Sequence, residues 1–131
     1  MIQRIQSLFF ALAAIIALAF LFVPSVEIND LFLTGLNDTI MLILTVLVAL
    51  ICIGAIFLFS NRVLQANIGR LSLFPIIGLI AYAVFKELSD GDFAPNFIGL
   101  ALPVIAIIFV FLAVNAIKKD EKMVRSSDRL R

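Results

Sequence analysis

Residues 97–117 form an uninterrupted apolar run, FIGLALPVIAIIFVFLAVNAI, which passes directly into the charged segment KKDEKMVRSSDRLR. A helix of 21 residues is about 31 Å long at about 1.5 Å per residue, and the hydrocarbon core of a bilayer is about 30 Å thick. The run therefore predicts a membrane-spanning helix. Pro103 is compatible with such a span, because neighbouring groups can compensate for the carbonyl that a proline leaves without a donor. We expect residues 118–131 to continue from the membrane as a charged cytoplasmic tail.

The composition of the whole chain is that of an integral membrane protein. Of its 131 residues, 63% are hydrophobic and only 15% are charged, and the charges fall in short clusters between long apolar runs. A soluble domain needs polar residues over its whole exterior, and an outer-membrane barrel would alternate apolar and polar residues along each strand. The net charge of +1 gives no broad basic surface for nucleic acid, and the single cysteine, Cys52, cannot form an intramolecular disulfide.

Three further apolar runs complete a predicted all-α, four-helix membrane bundle with spans at about residues 5–23, 39–60, 68–88 and 97–117. Pro24 ends the first run, and Asn37 or Asp38 can cap the second helix. The sequence Ala17-Leu18-Ala19 has the spacing that signal peptidases read, but apolar residues continue beyond it, so we favour an uncleaved span.

The third run is the shortest, and a re-entrant segment is its alternative interpretation. A helix over residues 68–88 would be long enough to span if Arg70 and Lys86 extend toward the headgroups. We read residues 60–70 as a short polar turn before it. The loops at 24–38 and 86–96 are both acidic in net charge.

The distribution of Lys and Arg predicts how the chain is oriented. The N-terminal segment has one such residue, residues 60–70 have two and the tail has six, whereas the two acidic loops have none and one. Cytoplasmic loops carry the excess of Lys and Arg in membrane proteins. This predicts four crossings with both termini in the cytoplasm, and it disfavours a re-entrant third segment, which would put the six-cation tail outside.

The predicted spans contain no Asp, Glu, Lys, Arg or His apart from Arg70, Lys86 and Glu87, which lie at the ends of the third span. Ion-coupled transporters usually need an ionisable group at membrane depth, and zinc sites and Cys-His nucleophiles need residues that this chain lacks. We therefore predict a protein that is not an enzyme, with no catalytic residue, no metal, no cofactor and no identified small-molecule substrate.

The remaining candidate contacts are few. Ala13 and Ala17 lie one turn apart and favour close packing of helices, and Asn115 could hydrogen-bond a neighbouring helix. Glu121 and Arg125 have the spacing of a helix-stabilising ion pair. The tail cations are expected to contact either a partner protein or the lipid bilayer: Lys118, Lys119, Lys122, Arg125, Arg129 and Arg131.

Three segments, MIQRIQSLFFALAAI, NRVLQANIGR and LPVIAIIFVFLAVNAIKKDEKMVRSSDRLR, give the sequence a family resemblance. Over essentially its whole length the chain resembles the domain-of-unknown-function 4293 family. That resemblance implies a small four-span inner-membrane protein of Bacteroidota, and it supplies no catalytic residue or substrate. Family members often carry a basic residue where this chain has Asn115, so the resemblance does not support a contact there.

Two hypotheses of function follow. The first is a non-enzymatic accessory or assembly subunit of a larger inner-membrane complex, and the alternative is a small oligomeric transporter or channel without an intramembrane charge. A water-lined path past Thr45, Ser72 or Tyr82 would favour the alternative, whereas a solid bundle would favour the first. A membrane enzyme is the least supported, because the sequence has no convincing catalytic group.

Overall fold

The structure is a computed structural model that describes residues 2–28, 31–89 and 97–129. Within these residues, three helical stretches are long and apolar enough to cross a membrane, and the apolar part of the N-terminal helix is a shorter fourth. The prediction of apolar helices of membrane-spanning length is thus confirmed for three of the four predicted spans. The elements are α1 (Ile2–Ala19), β1 (Pro24–Ile28), β2 (Leu31–Thr34), α2 (Thr39–Phe57), α3 (Arg62–Leu71), α4 (Leu73–Ser89) and α5 (Phe97–Arg129).

The first loop contains a short antiparallel hairpin that the sequence interpretation did not include. Helix α1 ends at Ala19, and a tight turn follows in which the Leu21 and Phe22 amides donate to carbonyls three residues earlier. Pro24, which cannot donate a backbone hydrogen bond, then begins β1. Strand β1 pairs with β2 from Pro24 opposite Thr34 to Ile28 opposite Leu31, and it lies beside α4 and α5.

The segment predicted as a polar turn is helical instead. Asn61 caps α3 by accepting a hydrogen bond from the Leu64 amide at 3.2 Å. Helix α3 buries Gln65, Ala66 and Gly69, which lie on one face of the helix, so its polarity marks an amphipathic helix rather than a loop. One residue, Ser72, separates α3 from α4, and the predicted span at 68–88 lies inside this longer helical stretch.

Helix α1 packs chiefly against α5 and α2, and these are the most extensive helix contacts in the structure. Small residues dominate these contacts, which lets the helix backbones approach closely. A second, smaller cluster of Phe20, Met41, Leu79 and Ala83 lies nearer the hairpin. The main core consists of Phe10, Ala13, Ala14, Ala17, Val48, Cys52, Ala55, Ala66, Ile76, Ala106, Val110, Ala113, Val114 and Ile117.

Of the glycines that the structure describes, Gly69 leaves the least room for a side chain. It lies where α3 packs against α1 and α5. A Cβ atom at this position would lie 2.7 Å from Cζ of Phe10 and 3.0 Å from Cγ2 of Val114. Phe10 is fully buried, so its ring has little room to move aside. By contrast, a Cβ at Gly78 would meet nothing within 4 Å.

We expect Gly69→Ala to destabilise the bundle and Gly78→Ala to leave it unchanged or more stable. Overpacking costs about 1 to 3 kcal/mol, whereas replacing a helical glycine by alanine gains about 1 kcal/mol wherever space is open. The free energy of unfolding of Gly69→Ala should therefore lie at least about 1 kcal/mol below that of Gly78→Ala. Circular dichroism during titration of mild detergent with dodecyl sulfate measures both values, and equal stabilities would contradict the close approach.

Candidate functional site

Asp38 organises the polar cluster at the hairpin end of the bundle. Its Oδ1 accepts hydrogen bonds from the backbone amides of Ile40 at 2.9 Å and Met41 at 3.3 Å, so it caps α2 as predicted for Asn37 or Asp38. A carboxylate also interacts favourably with the positive end of the helix dipole.

The same carboxylate connects α2 to α4. The Tyr82 hydroxyl donates to Asp38 at 3.3 Å, and the Lys86 ammonium forms an ion pair with its Oδ2. Lys86 also lies over the Tyr82 ring, 5.6 Å from the centroid. The side chain of Asp38 is only 6% exposed, so the ion pair is partly removed from solvent. Lys86 is therefore a fixed structural partner as well as a flanking cation.

The environment of Asp38 acts on its ionisation in two directions. Burial raises the pKa of the carboxyl, but the bond from Lys86 and the amides of Met41 and Ile40 lower it by more. The pKa therefore lies below its ordinary value of 3.8. A carboxyl with a depressed pKa contributes stability above its ordinary pKa, and that contribution is lost as the pH falls through the depressed value.

We expect Asp38→Asn to lower the melting temperature at neutral pH by several degrees, because asparagine can still cap α2 but cannot pair with Lys86. The difference from the unmodified protein should be constant above the ordinary aspartate pKa and shrink as the pH falls from there through the depressed pKa of Asp38. Thermal melting of both proteins in detergent across this range measures it. A difference that stays the same at low pH would show that the ion pair does not carry the effect.

A second polar cluster lies at the opposite end, where α5 leaves its apolar run. Arg62 Nε lies 3.4 Å from Asp120 Oδ2, joining the start of α3 to α5. The Gln6 side-chain amide donates to the Ala116 carbonyl at 3.3 Å, joining α1 to α5. Gln65 is 1% exposed, and its Nε2 has no hydrogen-bond partner among the described residues.

The sequence interpretation predicted the helix cap at Asn37 or Asp38 but not the contacts between helices in either cluster. Tyr82 and Lys86 are four residues apart on one helix face, so their proximity is readable from helical periodicity. Their pairing with Asp38 requires the start of α2 to lie beside the end of α4, and local sequence patterns do not predict that arrangement. Nothing in the local sequence around Arg62 or Asp120 indicates that these two residues pair.

Helix α5 continues through most of the charged tail. Arg125 donates to Glu121 at 2.9 Å, so the predicted ion pair is confirmed. From Lys122 to the end of the helix every side chain is exposed. Lys118, Lys119, Lys122 and Arg129 have no acidic partner within residues 2–28, 31–89 and 97–129. Arg131 lies outside the described residues.

The candidate interhelical residues lie in different environments. Ala13 and Ala17 are 0% and 4% exposed in the main core, where α1 packs against its neighbours. Asn115 is exposed, and its side chain makes no hydrogen bond to a described residue. Together with Arg70 and Lys118 it lines one end of a groove between α4 and α5.

The bundle interior between the two polar clusters has few polar groups, and these bond locally. The Thr45 hydroxyl donates to the Met41 carbonyl at 2.7 Å, and the Ser72 hydroxyl donates to the Gly69 carbonyl at 2.7 Å. In the part of the chain that the structure describes, no group of three or more His, Cys, Asp or Glu is placed to hold a metal ion.

Comparison with known sequences identifies the family. The sequence model of a family described as Domain of unknown function (DUF4293) matches residues 2–130. No curated protein and no solved structure matches the chain. The family match covers α1 through α5, and thus both polar clusters and the helical tail. The chain therefore belongs to the DUF4293 family.

Proposed function

We propose that this protein is a non-enzymatic accessory or assembly subunit of a complex in a bacterial inner membrane. The observation that carries the proposal is that the hydroxyls suggested to line a path are buried and bonded within their own helical stretches. Thr45 and Ser72 are both 0% exposed, and each hydroxyl is bonded to a carbonyl of its own helical stretch. Neither side chain lines an open passage within a single copy of the chain.

Tyr82, the third residue suggested to line a path, is also held by a hydrogen bond. Its hydroxyl bonds to Asp38 beside Lys86, so it belongs to a cluster that holds α2 against α4. A transporter would need polar groups that exchange partners with a moving substrate. This arrangement supports a fixed structural role for the bundle instead.

Helix α5 supplies an element suited to partner binding. Its 33 residues correspond to about 50 Å of helix, which exceeds the roughly 30 Å hydrocarbon core by several turns. The exposed part of the projecting segment is rich in Lys and Arg and has an internal Glu121 to Arg125 ion pair. A stiff, charged helix that leaves the membrane offers a binding surface at low cost in ordering entropy.

The proposed topology has four crossings, with α1 as the first and both termini in the cytoplasm. Helix α1 has 18 residues and spans about 27 Å, and the turn that follows it adds to this length. The excess of Lys and Arg near Arg62 and Arg70 and in the tail supports a cytoplasmic location for that end. The charged end of α5 would then face cytoplasmic partners.

The test is recovery of partners at native abundance. The protein, tagged at its N-terminus on the chromosome, is purified in mild detergent, and co-purifying chains are quantified by mass spectrometry. We expect a larger membrane protein in stoichiometric amount. Recovery as a lone oligomer would contradict the proposal and would direct attention to liposome flux assays of the transporter hypothesis.

The tail should carry part of the partner interaction. Replacing Lys118, Lys119, Lys122 and Arg125 by Gln is expected to reduce recovery of the partner by about tenfold or more, since each charge contributes about 1 kcal/mol to a surface interaction. The matched control keeps every charge by exchanging Lys for Arg and Arg for Lys at the same four positions. Equal recovery with both variants would exclude the tail charges as a binding surface.

A further inference from the structure

A groove of about 440 Å³ lies between α4, together with the last turn of α3, and α5, near the end of the bundle that carries the tail. Its apolar part includes Phe74, Ile77 and Phe111, which are 74%, 56% and 52% exposed. Such exposure at membrane depth leaves these side chains open to lipid. Arg70, Asn115 and Lys118 line the same groove.

The groove has a polar end and an apolar end because of the order of polar and apolar residues along each of its two walls. On one wall, Arg70 is followed by Phe74 and Ile77 at four and seven residues, and on the other, Phe111 is followed by Asn115 and Lys118 at four and seven residues. Arg70 lies in the last turn of α3, and Ser72 keeps a right-handed helical conformation, so the helical course continues into α4. On each wall these intervals therefore place the side chains on one face, about 10 Å from first to last. The two walls run in opposite directions, so Arg70 and Lys118 share one end and Ile77 and Phe111 the other.

The polar end has donors without acceptors. Neither Arg70 nor Lys118 has an acidic partner among residues 2–28, 31–89 and 97–129, and the Asn115 amide has no hydrogen bond there. Arg62, Lys86 and Arg125, in contrast, each have a carboxylate partner. An anion is therefore the ligand that fits the charge at the end of this groove.

We propose that this groove is a binding site for one anionic phospholipid of the inner leaflet, with its phosphate between Arg70 and Lys118 and one acyl chain along Phe74, Ile77 and Phe111. A headgroup phosphate matches the charge of the two cations, and its attached acyl chain matches the apolar walls. The Asn115 amide donates to the headgroup oxygens. The site requires that α4 and α5 cross the bilayer with the tail in the cytoplasm, as in the proposed topology, but it does not depend on the accessory role.

The test is native mass spectrometry of the full-length protein in detergent, titrated with phosphatidylglycerol and, separately, with phosphatidylcholine of the same acyl chains. We expect one phosphatidylglycerol to bind with at least about tenfold preference over phosphatidylcholine, given about 1 kcal/mol for each cation near an anionic headgroup. Equal binding of the two lipids would overturn the proposal.

Two double variants locate the effect. Arg70→Gln with Lys118→Gln should remove most of the preference, whereas Lys119→Gln with Lys122→Gln removes the same charge from exposed positions outside the groove lining and should preserve it. Equal loss in both would show a diffuse charge effect and overturn the site.

Ile77→Asp, which places a charge at the apolar end, should weaken phosphatidylglycerol binding while leaving the binding of a soluble headgroup analogue, glycerol phosphate, unaffected. Thermal melting confirms that each variant is folded.

Discussion

The close packing of α1 against α5 and α2 is the interaction on which the rest of the structure depends. Apolar helices in lipid gain little from hydrophobic burial against each other, so association rests on close contact and on hydrogen bonds. Alanines such as Ala13, Ala17, Ala106 and Ala113 are buried where these helices meet. Gly69 extends the same principle to α3, where a single Cβ would collide with Phe10. The core is therefore held by backbone proximity rather than by large side chains alone.

Two polar clusters at opposite ends fix the helices around this core. Asp38 joins α2 to α4 through Lys86 and Tyr82, and at the other end Asp120 and the Ala116 carbonyl join α5 to α3 and α1. Between them the interior is apolar apart from hydroxyls bonded to their own backbone. A bundle fixed at both ends, with buried apolar residues between them, is suited to holding the long α5 helix in place. This is the physical basis of the proposed accessory role.

The features that sequence predicted were those encoded by local patterns. Apolar run length indicated the helices, the Asp38 cap follows from residue type at a helix start, and the Glu121 to Arg125 pair follows from helical spacing. The polar composition of α3 predicted a turn, but the segment is a helix because one face of it, with Ala66 and Gly69, packs against other helices. The Asp38 to Lys86 and Arg62 to Asp120 pairs join residues far apart in the chain, and their partners depend on tertiary packing. The hairpin was missed because its nine strand residues gave a weaker signal than the flanking apolar runs.

Topology mapping with a membrane-impermeant maleimide tests the proposed four-crossing topology most directly. The placement of the α5 tail, the charged end of the groove and the first crossing all depend on this topology. Single thiols replace Leu36 and Ser126, which lie at opposite ends of the bundle, and a third is placed at the N-terminus, all with Cys52→Ala. With both termini in the cytoplasm, we expect Leu36→Cys to react in intact spheroplasts, and Ser126→Cys and the N-terminal thiol to react only after permeabilisation. Labelling of Leu36→Cys and Ser126→Cys from the same side, or of the N-terminal thiol from outside, would contradict it.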